Sequence, residues 1–207
     1  MKHIISKQRF NIYASNNKYK INSEKFFSSK NFNFEYKNTD EQPALQNKAS
    51  TRPENGRFLN FNHLEFWVGN AKQAASYYTS KFGFDYFMYS GLETGNRKMA
   101  THVVKNGGAI LAFKTPLQTG HNPVFENFIK KRGDAIRDIS IEVDDIELIA
   151  ENAKQRGAVF IEPIREISDD FGSVKTMTVQ TFGDNVHTFV EKKNYKGEFL
   201  PGYEKHP

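Results

Sequence analysis

One order of elements is written twice in this chain, and no other feature limits its fold as tightly. FLNFNHLEFWV, residues 58–68, alternates apolar and polar side chains as a half-buried strand does. AKQAASYYTSKF then sets Ala71, Ala74, Ala75, Tyr78 and Phe82 at helical spacing, and Gly83 stands where a helix end favours positive φ. Three strand-like runs follow, FDYFMYS, RKMATHVVK and GAILAFK, separated by the turn sequences GLETGN and NGG. After a helical linker, NPVFENFIKKRGD, the order returns. Arg137 to Val143 is a strand, Asp144-Asp145 is an N-cap pair, and IELIAENAKQR is a helix ended by Gly157. The strands AVFIEP, SVKTMTVQ and VHTFVE complete the second copy. Two consecutive βαβββ units form an internal repeat, and each curved sheet would leave an apolar face bare unless the two paired. The expected fold is therefore α+β, with both units in one domain, helices outside and a cupped mouth between.

Charge divides the chain at a different place. Of the 207 residues, the first fifty carry the whole formal excess of +5, and the other 157 balance acids against bases. The folded part thus lacks a basic surplus for phosphate binding, and nucleic acid is not an expected partner. Residues 1–54, rich in Asn, Ser and Lys and without periodicity, read as a disordered or processed basic extension. A mitochondrial leader is one reading of it, although such leaders prefer Arg and Arg9 is the sole arginine before residue 50. No run nears the ~18 apolar residues that cross a bilayer, and there is no cysteine, which removes disulfides and thiolate metal sites. Membrane insertion is not expected, and a cytoplasmic location is.

FNHLEFWVGNAKQAASYYTSKFGF, GLETGNRK, DISIEVDD, QTFGDNVHTFVEKKNY and GEFLPGYE resemble the N-terminal domain of the 4-hydroxyphenylpyruvate dioxygenases of animals, a family of the vicinal oxygen chelate superfamily. The resemblance runs from about Asn55 to Glu204. It implies a domain over 55–195, with units at about 58–116 and 136–192, and a connector beginning at 196–207 that leads to a C-terminal catalytic domain. In that family Fe(II) converts 4-hydroxyphenylpyruvate and O2 to homogentisate and CO2 in tyrosine breakdown, and the iron sits in the C-terminal domain. The resemblance therefore implies no iron bound by this chain, no activity from it alone, a catalytic domain as partner, and a homodimer or homo-oligomer for the whole enzyme. The connector's Phe199, Leu200 and Tyr203 are expected to be partly unburied.

In the superfamily, metal ligands come from the first strands of both units and from a last strand. Carried onto this sequence, those positions are His63, Asp138 and Glu191, with Phe113 at the fourth. One imidazole and two carboxylates make a hard, weak site. A degenerate site whose polar groups bond one another is the favoured reading. The competing readings are a self-contained glyoxalase or extradiol-type metalloenzyme using those three residues, and a non-catalytic assembly or binding module. His187 reads as a cross-strand partner on the face of Glu191, and His102 as a half-buried strand imidazole. His121 and His206 fall in connectors. GLETGN lacks the Gly-Lys-Ser/Thr of a phosphate loop, and no serine sits in a glycine elbow.

Overall fold

The computed structural model describes residues 56–207, and the expectations for residues 1–54 lie outside that range. The first unit comprises β1 (Phe58–Trp67), α1 (Ala71–Phe82), β2 (Asp85–Ser90), β3 (Met99–Asn106) and β4 (Ala109–Pro116). The linker is α2 (Pro123–Arg132). The second unit comprises β5 (Ala135–Val143), α3 (Ile146–Gln155), β6 (Phe160–Asp169), β7 (Gly172–Gln180) and β8 (Val186–Tyr195), and a two-residue strand, β9 (Glu204–Lys205), follows. All nine strands join one sheet in the order β6-β7-β8-β5-β1-β4-β3-β2-β9.

The two units meet at the centre of that order. β1 runs antiparallel to β5, with Leu64 opposite Ile139 and Glu65 opposite Asp138. β4 lies parallel to β1, with Leu64 beside Leu111, and β8 lies parallel to β5, with Ile139 beside His187. A local two-fold through the Leu64–Ile139 pair therefore relates His63 to Asp138, Phe113 to Phe189 and Lys114 to Val190.

Each helix starts and stops where its sequence dictates. The Asn70 side chain accepts from the Gln73 amide at the head of α1, and Gly83 ends it at φ 68° with its N–H on the Tyr78 carbonyl. Asn122 caps α2 and Asp145 caps α3 in the same manner. Helix α1 buries Ala71 and Ala75 against Val68, Val104 and Phe113. Helix α3 buries Ile146 and Ile149 against Met177, Val179 and Phe189. Both helices cover the convex side of the sheet. A tight turn joins β6 to β7 at Gly172, φ 122°, where a Cβ would lie 2.0 Å from the Asn194 carbonyl oxygen, so only glycine fits.

The C-terminal segment departs from expectation at Phe199, while Leu200 and Tyr203 are partly exposed, as expected. Phe199 is 1 % exposed and packs on Met88, Val103 and Ala112, with Leu200 and Tyr203 beside it. Glu204 and Lys205 then pair with Tyr89 and Met88 of β2. Phe199 is thus not held open for a further surface. It supplies the apolar cover that the concave side of the first unit lacks within its own unit, and burying a Phe side chain contributes ~1.5–3 kcal/mol.

Candidate functional site

The concave side forms a cavity of about 380 Å³ lined by residues of both units. From β1 it takes His63, Glu65 and Trp67, which alternate onto one face of the strand. Lys114 comes from β4, Asp138 and Ser140 from β5, and Thr176, Thr178 and Thr188 from β7 and β8.

A charged pair lies at its centre. Lys114 Nζ stands 2.8 Å from Glu65 Oε2, and Trp67 Nε1 donates to Glu65 Oε1 at 2.8 Å. Burial alone would raise the Glu65 carboxyl, but the Lys114 ammonium beside it holds it below the usual carboxylate range. Burial likewise works against the Lys114 ammonium, but Glu65, Tyr203 and Asp138 around it raise its pKa. Both groups are therefore charged and each is the other's counterion.

Of the remaining polar groups, His63 and Asp138 are each tied down and Ser140 is not. His63 Nδ1 lies 2.9 Å from Asn62 Oδ1, an atom that only accepts, so Nδ1 carries the ring proton and Nε2 is bare. The His63 ring meets Phe199 edge-on at 5.1 Å, and burial brings its pKa down to about 4, so the imidazole is neutral. Asp138 accepts from the Thr188 amide at 2.9 Å and from the Thr188 hydroxyl. Burial raises Asp138 to about 6, against the opposing pull of those hydrogen bonds. Ser140 is fully buried and its hydroxyl has no partner.

The expected set of His63, Asp138 and Glu191 needs correction at its third member. On β8, Val186, Thr188 and Val190 face the cavity, so Glu191 faces the other way. Its Oε2 accepts the Ile146 amide at 2.8 Å, at the head of α3 on the convex side. A carboxylate there complements the partial positive charge of a helix N-terminus. Phe113 also belongs to the convex side, against α1, with Tyr78 at 5.0 Å. Its neighbour Lys114 enters the cavity instead. The expectation counted positions along the last strands, and counting from the Leu64–Leu111 and Ile139–His187 pairs shifts each by one residue, which reverses the face.

An Fe(II) ion does not fit these residues. The cavity offers one imidazole, Asp138 is held by Thr188, and Glu65 is neutralised by an ammonium. A ferrous site of this type needs two imidazoles and a carboxylate with adjacent positions open. Among the described residues, one group of three His, Asp or Glu side chains has donor atoms within 4.8 Å of one another, namely Asp145, Glu147 and Glu191. Asp145 caps Leu148, Glu147 pairs with Lys175 and Glu191 holds Ile146, so these acids are occupied in starting a helix.

The other histidines divide sharply. His187 Nδ1 lies 3.2 Å from the Ile139 carbonyl across the β5–β8 pair, and His121 is exposed in the loop before α2. His102 and His206, read separately as a strand residue and a connector residue, meet at 2.8 Å. A separation of 104 positions hides the pair from any motif search. No helix among the described residues is long and apolar enough to cross a membrane.

Two βαβββ units paired across a cup define a class, and the sequence agrees. Residues 60–184 match the profile of the Glyoxalase/Bleomycin resistance protein/Dioxygenase superfamily, and the chain belongs to it. Within that class, the 4-hydroxyphenylpyruvate dioxygenase of Tetrahymena thermophila is 46% identical over 159 residues, covering 75% of this chain and 39% of that protein. The Danio rerio protein of the same name is 46% identical over 155 residues, with 74% and 39% covered. The chain thus spans about two fifths of the length of the curated relatives it matches. Of solved structures, a triple mutant of 4-hydroxymandelate synthase from Streptomyces coelicolor superposes with TM-score 0.63 at 21% identity, over 72% of this chain and 42% of that one. Methylmalonyl-CoA epimerase from Mycobacterium tuberculosis superposes with TM-score 0.52 at 16% identity, over 65% and 88%. These two likenesses are of fold.

Proposed function

We propose that this chain is the N-terminal domain of a 4-hydroxyphenylpyruvate dioxygenase and that it serves the enzyme without performing its chemistry. The observation that carries this reading is the Glu65–Lys114 pair in the cup. Where relatives of this architecture gather ligands around an ion, this cup holds a built-in cation with its counterion. The reaction, conversion of 4-hydroxyphenylpyruvate and O2 to homogentisate and CO2, would then rest on Fe(II) held by a C-terminal domain corresponding to the part of the relatives that this chain does not match. The domain over 55–195 would act as the scaffold on which that part folds, within a homodimer or homo-oligomer of the whole enzyme in the cytoplasm. The residues from 196 onward would lead toward the catalytic part after first sealing the first unit with Phe199 and Tyr203.

The test is a graft. Residues 1–207 joined to the unmatched C-terminal part of the Danio rerio relative should give a chain that forms homogentisate in the presence of ferrous iron. In that chimera, Glu65→Met with Lys114→Met should leave turnover within about twofold, because the pair touches no reacting atom. A folded chimera without turnover would count against the scaffold reading. Turnover abolished by the paired substitution in a folded chimera would place chemistry in this cup and contradict it.

A further inference from the structure

We propose that His102 and His206 form a two-imidazole site for a borderline transition-metal dication, such as zinc, nickel or copper, that clips β9 to the sheet. The inference is independent of the dioxygenase reading. His102 stands in the middle of β3 and is buried, while His206 follows β9 directly and is half-buried. His102 Nδ1 lies 2.8 Å from His206 Nε2, a separation that requires one proton between two ring nitrogens.

The tautomers follow from the next contact. His206 Nδ1 stands 3.0 Å from the Pro207 carbonyl oxygen, which only accepts. Nδ1 of His206 therefore carries its ring proton, and Nε2 is a bare lone pair. Tying one imidazole N–H to a carbonyl while presenting the other nitrogen is the arrangement that orients metal-binding histidines. His102 Nδ1 donates into that lone pair. A dication arriving there displaces the shared proton, which passes from Nδ1 to Nε2 of His102. Both rings stay neutral, no net proton is lost, and two lone pairs converge on the ion. With tetrahedral angles and bonds of ~2.0–2.1 Å, two such nitrogens stand about 3.3 Å apart, so the nitrogens must part by about 0.5 Å and the two rings must turn until their lone pairs meet at an angle instead of head-on.

The surroundings suit this use. The Tyr86 ring stacks on His206 at 4.2 Å and the Tyr89 ring lies 4.9 Å from His102, which holds both imidazoles in place. The Tyr89 hydroxyl donates to Glu93 Oε2 at 2.6 Å, and the Glu93 carboxylate and the Lys72 ammonium both act on His102 with opposing charge. The half-exposed flank of His206 leaves the remaining coordination positions to water. Imidazole donors favour zinc, nickel and copper over magnesium and calcium.

The experiment is titration of the untagged, chelator-stripped full chain with zinc at pH 7.5, followed by equilibrium dialysis and by thermal unfolding. One zinc per chain is expected, with a Tm that rises with zinc concentration and does not respond to magnesium. His102→Ala and His206→Ala should each weaken zinc binding at least tenfold and remove the Tm response, whereas Glu147→Gln and His121→Ala should leave both unchanged. His206→Ala alters a half-exposed residue near the end of the chain, so it remains informative even where His102→Ala fails to fold. Absence of zinc uptake by the unaltered chain would overturn the proposal. So would a zinc response that survives His206→Ala or disappears in Glu147→Gln.

Discussion

Replacing His63 with Leu should remove a specific acid sensitivity of the fold. His63 is 7 % exposed, and burial lowers its pKa from 6.5 to about 4. Below pH 6.5 the unfolded chain takes up a proton at this site and the folded chain does not, so its contribution to stability is present above 6.5 and is lost as pH falls. At ~1.4 kcal/mol for each pH unit, the loss reaches about 2.5 kcal/mol at pH 4.5 and levels off near pH 4. Asp138 acts in the opposite sense. Its folded value of about 6 exceeds the reference 3.8, so acidification from 6 to 4 favours the folded state at that site. The two nearly cancel in the unaltered protein, and the substitution separates them. Urea unfolding at pH 7.5 and at pH 4.5 is the assay. Between those two pH values His63→Leu should lose about 2.5 kcal/mol less stability than the unaltered chain. Equal pH dependence in the two proteins would refute the buried, neutral imidazole assigned to this position.

Three further outcomes follow from the same contacts. Lys114→Met leaves the Glu65 carboxylate without its cation and should cost ~3–5 kcal/mol by denaturant unfolding, whereas adding Glu65→Met should recover most of that loss. Phe199→Ala opens a cavity over Met88, Val103 and Ala112 and should cost ~3–5 kcal/mol, with new binding of a dye specific for apolar surface. Glu191→Gln weakens a charge-assisted bond to the Ile146 amide and should cost ~1–2 kcal/mol in thermal unfolding, with faster amide exchange in the first turn of α3.

What the sequence disclosed and what it hid divide along the range of the interactions. The helix over Ala71–Phe82 and its stop at Gly83 are encoded locally, by apolar spacing and one glycine, as is the Asp145 cap of α3. The repetition of βαβββ was enough to imply the paired sheet. Face assignment on the last strands was not local. Whether Phe113 or Lys114, and Glu191 or Val190, enters the cup depends on register against β1 and β5, which strand alternation alone leaves open by one residue. The destination of Phe199 was equally non-local, because its apolar character is compatible with either an external partner or the chain's own sheet. The His102–His206 contact joins residues that no motif spans.

Oxygen uptake by the purified 207-residue chain, supplied with 4-hydroxyphenylpyruvate, ferrous iron and ascorbate, tests the central claim most directly. With one neutral imidazole at His63 and a Lys114 ammonium paired with Glu65 in the same cup, uptake should not exceed that of the same mixture without protein. Substrate-dependent uptake that disappears in His63→Ala would show that this cup performs the chemistry and would contradict the account.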